Sequence, residues 1–188
     1  TADWGSIWYY FETEHWPFVG TLRIGTLNAL ALAVFAAGCL LIALIIFAAP
    51  RRPRLPQVFF LTLAAFLLTN KVWSPQYVIW LVPLVVLARP RLWSYLLWQA
   101  AEVGYFFAIW AYLITISTAN GPLSPESVGG ISPGVYFAAL LARFASVVIL
   151  AALVVRDILR PEADLVRAAG DDDPAGGCLD NAPDVVTL

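Results

Sequence analysis

The feature that most constrains this chain is a long, almost entirely apolar run, LNALALAVFAAGCLLIALIIFAA, which extends from Leu27 to Ala49. A helix needs about 20 apolar residues to cross the roughly 30 Å hydrocarbon core of a bilayer, and this run reaches that length without a charged residue. Hydrocarbon offers the backbone no hydrogen-bond partner, so such a run must form a helix that satisfies its own polar groups. The run therefore predicts a membrane-spanning helix.

The composition of the whole chain agrees with this prediction. Hydrophobic residues make up 61% of the sequence and charged residues 13%, whereas soluble domains are about half apolar and a quarter charged. The two cysteines, Cys39 and Cys178, provide no disulfide framework. We therefore expect an all-α, multi-pass transmembrane helical bundle that has the lipid bilayer as a partner.

Five apolar segments are candidate spans, and together they predict a transmembrane bundle over residues 27–155. Residues 1–26 form a separate segment before it. Residues 156–188 follow it, and their Gly, Pro and Asp content predicts a largely disordered tail with a solvated Asp171–Asp173 run. The predicted spans lie near residues 27–49, 57–73, 75–88, 92–117 and 135–155.

The basic residues are distributed unequally between the two ends of these spans. Arginines follow the first, third and fifth spans, whereas Arg23 and Lys71 fall at the opposite ends. Cytoplasmic loops of membrane proteins carry the excess of Lys and Arg. We therefore expect a plasma (inner) membrane protein with residues 1–26, the Lys71 junction and the loop 118–134 outside the cytoplasm. The tail would then be cytoplasmic, and because topology explains its arginines, no nucleic-acid partner is indicated.

The stretch NKVWSPQY interrupts the apolar pattern between the second and third spans. Ser74 and Pro75 predict a helix start, because Ser is a favoured N-cap and Pro a favoured first helical residue. A helix from Pro75 to Ala88, bent at Pro83, would be only about 21 Å long and shorter than the hydrocarbon core. Irregular backbone below the membrane surface must line a polar cavity or be buried in protein. We therefore expect this turn to line a cavity that is open to the outside.

The chemistry of this turn suits an anionic ligand. A helix N-terminus and the Lys71 ammonium both attract negative charge, the polar side chains add hydrogen bonds, and the aromatic rings offer flat surfaces for sugar or isoprenoid. We expect a lipid-linked anion reached from the outer leaflet. The alternative is that Lys71 only extends to the lipid headgroups while Ser-Pro caps a helix. The candidate binding residues are Asn70, Lys71, Trp73, Ser74, Gln76, Tyr77 and Trp80.

Two stretches resemble a known family. TNKVWSPQYVIWLVPLVVLARP resembles a late-transmembrane motif of actinobacterial integral membrane proteins grouped with glycosyltransferase family 87, which are of the GT-C type. These proteins are related to polyprenyl-phosphate-mannose-dependent mannosyltransferases. ADWGSIWYY, residues 2–10, resembles the extracytoplasmic stretch shortly before that motif in the same group. The resemblance covers roughly residues 2–93.

This resemblance implies a multi-pass enzyme that moves a sugar from a polyprenyl-phosphate donor to an extracytoplasmic acceptor. The sugar would be mannose or another hexose or pentose. Family members place their catalytic aspartate in the first extracytoplasmic loop, so the resemblance implies that the catalytic base lies upstream of this chain. The upstream half of the same polypeptide would then be a partner, and this fragment alone would be inactive. No cofactor other than the donor lipid is implied.

Glu102 and Arg143 are predicted to lie near the middle of the fourth and fifth spans. A lone charge at that depth costs at least a few kcal/mol, so we expect the two side chains to pair. The alternative is that Arg143 contacts a lipid phosphate.

The remaining polar residues give weaker signals. Asp3, Glu12, Glu14 and His15 could form an acid/base or metal group, but their spacing matches no motif and favours a solvated loop. Ser132-Pro133 predicts the start of the fifth helix, and Ser124-Pro125-Glu126 a short turn in the outer loop. The sequence has no Gly-rich phosphate loop and no Cys/His metal set. Two other functions stay open, a transporter or flippase of a lipid-linked anion and a non-catalytic membrane scaffold.

Overall fold

The computed structural model describes residues 2–17, 19, 22–118 and 128–184, and these residues are helical with no strand. Short 3-10 helices cover Pro75–Tyr77, Pro161–Ala163 and Gly177–Leu179. In chain order the α-helices are α1 (Ile7–Thr13), α2 (Ile24–Ala48), α3 (Leu55–Thr69), α4 (Val78–Ala88), α5 (Leu92–Thr118), α6 (Pro133–Leu159) and α7 (Leu165–Ala168).

Three of these helices, α2, α5 and α6, have the length and apolar composition needed to cross a membrane. Two shorter apolar stretches, Leu55–Thr69 and Pro75–Ala88, accompany them. The all-α class predicted from the sequence is confirmed for the described residues. The prediction of five spans is met in part, since the second and third candidates fall below the length of a full crossing.

The largest side chains divide between a central core and an outer surface. The long helices α5 and α6 pack along each other, and α3 contacts α2, α4 and α6. In the α5–α6 interface Tyr112 stacks on Tyr136 with ring centroids 4.2 Å apart, and Leu140 is completely buried. Large apolar side chains such as Trp93 and Phe107 remain exposed. An apolar outer surface of this kind is compatible with a membrane protein.

The two Ser-Pro pairs, which were both predicted to begin helices, differ in whether the serine side chain caps the helix. Ser132 caps α6, because its hydroxyl accepts a hydrogen bond from the Val135 N–H at 3.4 Å. Ser74 occupies the N-cap position before Pro75, but its side chain makes no capping hydrogen bond. Pro75 is the first helical residue, as predicted. The prediction that the Ser74 side chain caps this helix is wrong, because the helix begins with a 3-10 turn instead of an α-turn. Residues 119–127, with the predicted turn at 124–126, lie outside the described residues.

The C-terminal segment does not form a separate tail. Arg54, which is almost completely buried, donates to Asp164 through Nε at 2.7 Å and through Nη2 at 3.1 Å. The same guanidinium donates to the carbonyl oxygens of Leu87 at 2.9 Å and Ala88 at 2.8 Å. Those carbonyls end α4 and would otherwise lack helical partners. One arginine therefore joins the start of α3, the end of α4 and the C-terminal segment.

Further ion pairs hold the segment against the arginine-rich loops. Arg52 pairs with Asp172 at 2.7 Å, and Arg89 pairs with Asp157 near the end of α6. Asp173 is fully buried and accepts the Leu55 N–H at 2.8 Å, at the start of α3. The expectation of a disordered tail with a solvated Asp171–Asp173 run is therefore wrong for most of this segment. We call this set of contacts the arginine–aspartate clasp; it comprises Arg51, Arg52, Arg54, Arg89 and Arg167 with Asp157, Asp164, Asp172, Asp173 and Asp184.

The outermost carboxyl of the clasp is sensitive to pH. Burial raises the pKa of Asp184, but hydrogen bonds from the Arg52 N–H and the Arg51 guanidinium, with the charges of Arg51 and Arg167, lower it overall below its ordinary value. A carboxyl whose pKa is lower in the folded state contributes stability above its unfolded pKa. That contribution is lost as pH falls through the folded pKa. This contact therefore weakens in acid.

We expect Asp164→Asn to release the C-terminal segment and to lower the free energy of unfolding by about 3–5 kcal/mol, because it leaves the buried Arg54 charge without a carboxylate. Asp184→Asn is the matched control: its side chain is 34% exposed, so the loss should be about 0–1 kcal/mol. Equilibrium unfolding in detergent and limited trypsin digestion measure the two effects. Equal losses in the two variants would contradict the assigned importance of the Arg54 pair.

Candidate functional site

The turn between α3 and α4 is docked against the N-terminal segment. The Asp3 N–H donates to the Lys71 carbonyl at 2.9 Å, and the Trp73 N–H donates to the Asp3 carboxylate at 3.2 Å. The Trp8 indole donates to the Thr69 carbonyl at 2.8 Å. The two stretches that carry the family resemblance thus contact each other directly, which the sequence did not predict.

Gly5 allows this close approach. A Cβ at Gly5 would lie 2.0 Å from the Trp73 carbonyl oxygen and 2.9 Å from the Tyr105 hydroxyl, distances that no side chain can occupy. Ser6 then ends the loop, because its hydroxyl accepts the Tyr9 N–H at 3.2 Å and caps α1. In the sequence, this docking could have been recognised from Gly5 and Ser6, which stand directly before the aromatic residues of α1.

The acidic cluster predicted near the N-terminus is divided in the structure. Asp3 binds the Trp73 backbone, whereas Glu12 accepts a hydrogen bond from the Ala2 N–H at 3.2 Å. Among the described residues no group of three or more His, Cys, Asp or Glu side chains could hold a metal ion. Asp3 is therefore a positioning residue for the turn.

Arg143 lies directly below the turn and is completely buried. Its Nε donates to Glu102 at 2.8 Å, so the predicted pair is present in the structure. Its other nitrogens donate to the carbonyls of Trp73 at 3.0 Å and Ser74 at 3.4 Å. The guanidinium carbon also lies 3.9 Å from the Trp73 ring centroid and 4.4 Å from that of Tyr105. These contacts occupy Arg143 with protein groups and leave no room for the alternative lipid phosphate.

The candidate binding residues of the turn do not converge on one cavity. Trp73 is completely buried against Arg143, so it supports the turn and offers no surface to a ligand. Tyr77 is half-buried against the core and stacks on the exposed Trp80 with centroids 4.6 Å apart. Gln76 is exposed as well. Consecutive side chains in a 3-10 turn point in different directions, which explains why the predicted set separates.

Asn70 and Lys71 line a groove of about 180 Å³ between α2 and the end of α3. Polar groups stand at one end of this groove, and aromatic and aliphatic groups form the rest of it. Within the described part of the chain, Lys71 has no acidic side chain at salt-bridge distance. The groove is lined by Asn28, Ala31, Leu32, Phe35, Phe66, Thr69, Asn70 and Lys71.

The shape of the groove follows from how α2 and α3 pack. The two helices touch at Gly38, where a Cβ would lie 3.5 Å from the Ala65 side chain. One turn away, Phe35 and Phe66 meet edge to face with centroids 5.8 Å apart and close the apolar end. Sequence reasoning missed the α2 side of this groove. Its signal is Asn28, an amide in an otherwise apolar run, at helical spacing from Phe35.

No family model matches the chain, and neither a curated protein nor a solved structure matches it. The fold and the site define an all-helical protein with apolar helices compatible with a membrane and an amphiphilic groove beside a docked polar turn. The family resemblance remains a prediction from the residues that carry it.

We expect Gly5→Ala to destabilise the protein by about 1–3 kcal/mol, because the new methyl group would clash with the Trp73 carbonyl. Gly25→Ala is the matched control, since a Cβ there would meet nothing within 4 Å. Alanine in a helix is up to about 1 kcal/mol better than glycine, so this control should be neutral or stabilising. Equilibrium unfolding of both variants checks the docking, and a neutral Gly5→Ala would refute it.

Arg143→Met should destabilise the protein by about 3–5 kcal/mol, because Glu102 would keep a buried charge without its partner. Adding Glu102→Gln removes that charge, so the double variant should lose less than the sum of the single variants. A double-mutant cycle of unfolding free energies measures this coupling. Arg143→Lys is the conservative control and should recover only part of the loss, because lysine lacks the planar fork that reaches two carbonyls. Strict additivity would mean that the pair is not coupled.

Proposed function

We propose that this chain binds a polyprenyl-phosphate-linked sugar in the α2–α3 groove and belongs to a membrane glycosyltransferase. The observation that carries the proposal is the division of the groove into a polar end with Lys71 and an apolar end closed by Phe35 and Phe66. A lipid phosphate has the same division, with a charged head joined to an apolar tail.

The charge at the polar end favours a phosphate over a neutral headgroup. The Lys71 ammonium is not neutralised by an acidic side chain of the described residues, and Asn28 and Asn70 line the same groove. An ammonium–phosphate hydrogen bond contributes roughly 1.5–3 kcal/mol. Asp3, Trp73 and Arg143 hold the backbone of this turn in place, so the cation is presented from a fixed support.

In our proposal the five apolar helical segments lie in the plasma (inner) membrane, with Lys71 towards the extracytoplasmic side and the arginine–aspartate clasp in the cytoplasm. This orientation follows the excess of arginine at the clasp end. In this orientation the short α3 and α4 would leave the Lys71 turn below the outer surface, within reach of a lipid phosphate of the outer leaflet.

The proposed reaction is sugar transfer at the anomeric carbon. An acceptor hydroxyl would form a bond to that carbon while the bond from the carbon to the phosphate oxygen breaks. The hydroxyl proton goes to a carboxylate base, and the polyprenyl phosphate leaves with the bonding electron pair. Lys71 would stabilise the charge of the leaving phosphate. We place the base in the upstream half of the same polypeptide, as the family resemblance implies.

Binding tests this proposal without the base. For the purified chain in detergent, we expect Lys71→Ala to weaken binding of polyprenyl-phosphate mannose roughly 10- to 150-fold, the loss of one charged contact. Lys71→Arg should keep part of the affinity. Arg23→Ala is the matched control, since Arg23 stands outside this groove. Unchanged affinity in Lys71→Ala would mean that Lys71 only reaches the lipid headgroups.

A flippase would share this binding but not the chemistry. Membranes that contain the complete polypeptide should transfer labelled mannose from the donor lipid to an acceptor. Movement of the intact lipid between the leaflets of proteoliposomes, without transfer, would support the flippase instead.

A further inference from the structure

The aspartates of the clasp leave one side of the arginine-rich end uncovered. Arg51, Arg52, Arg54, Arg89 and Arg167 each pair with an aspartate. Arg160 forms no salt bridge within the described residues. Arg156 has only a 3.3 Å contact with Asp157, whose other oxygen is taken by Arg89. Positive charge is therefore concentrated at the end of α6.

These two arginines stand one helical turn apart, above an apolar surface. Side chains four residues apart on a helix are neighbours, with Cβ atoms about 5–6 Å from each other. Between and below them is a notch of about 360 Å³, whose floor is made of Ala152, Val155 and Leu159. Arg156 is 45% exposed and Leu159 is 42% exposed, so both ends of the notch are open from outside.

We propose that this notch binds an anionic phospholipid of the leaflet at the clasp end. The phosphate would lie between the guanidinium groups of Arg156 and Arg160, and an acyl chain would cover Val155 and Leu159. The proposal requires only that α6 crosses a membrane and is independent of sugar transfer.

The two parts of the notch together select this ligand. Guanidinium groups bind phosphate oxygens through paired hydrogen bonds, which gives the charge complementarity. A free phosphate would use only the arginines and leave the apolar floor bare. A zwitterionic lipid would bring its own cation next to the two arginines. An anionic phospholipid is the ligand that satisfies both the charge and the floor.

The test uses native mass spectrometry of the purified chain in detergent, titrated with phosphatidylglycerol or phosphatidylcholine. A basic residue contributes roughly fivefold to binding at an anionic surface. Detergent offers no such surface, so only arginines that contact the lipid phosphate should contribute, and we assign each of them this factor. We therefore expect Arg160→Gln to weaken phosphatidylglycerol binding about fivefold and Arg156→Gln with Arg160→Gln about 25-fold. Phosphatidylcholine should bind weakly to every variant.

Arg91→Gln is the matched control, since Arg91 lies at the same end, outside the notch, and forms no salt bridge within the described residues. The affinity of this variant for phosphatidylglycerol should be unchanged.

Leu159→Gln keeps both arginines and should weaken phosphatidylglycerol binding, while millimolar inorganic phosphate should not displace the lipid. Equal losses in Arg91→Gln and Arg160→Gln would show a diffuse charge effect and overturn the site. Displacement by inorganic phosphate would overturn the lipid assignment. Because Arg160 has no acidic partner among the described residues, its single variant tests the site even if Arg156→Gln unfolds.

Discussion

The end of the helical bundle that carries the Lys71 turn depends on one buried guanidinium. Moving an arginine from water into an apolar interior costs several kcal/mol, and Arg143 recovers that cost through Glu102 and two backbone carbonyls. The same contacts solve a second problem. The Trp73 carbonyl belongs to irregular backbone and would be unsatisfied in hydrocarbon without Arg143. The charge and the turn therefore stabilise each other, and α5 and α6 are joined to both.

The opposite end of the bundle uses the same solution. Arg54 donates to the Leu87 and Ala88 carbonyls at the end of α4, as Arg143 donates to the two carbonyls before the 3-10 turn that leads into α4. In each case a carboxylate balances the arginine, Asp164 at one end and Glu102 at the other. Arg54 thus satisfies the last carbonyls of the short α4, and Arg143 fixes the backbone that leads into it.

Sequence reasoning reached the features that a single residue makes obligatory. A charge within an apolar run requires a partner, so Glu102 and Arg143 could be paired, and Pro75 could be placed at a helix start. It could not place Trp73, because an indole beside a turn suits a ligand and a core equally well. It also missed the clasp, whose partners Arg54 and Asp164 are far apart in the chain and are unremarkable in composition. The sequence did not show which face of α2 lines the groove, because α2 carries apolar residues on all of its faces.

The fixation of α4 has a consequence for how the protein meets bilayers of different thickness. The long helices α2, α5 and α6 can adapt to a thinner or thicker hydrocarbon layer by tilting, at a cost of fractions of a kcal/mol per Å of mismatch. α4 cannot slide along its own axis without breaking charged hydrogen bonds at both ends. The spacing between the Lys71 turn and the clasp is therefore set by the protein. In the proposed membrane orientation, a thicker bilayer would leave the turn deeper below the surface.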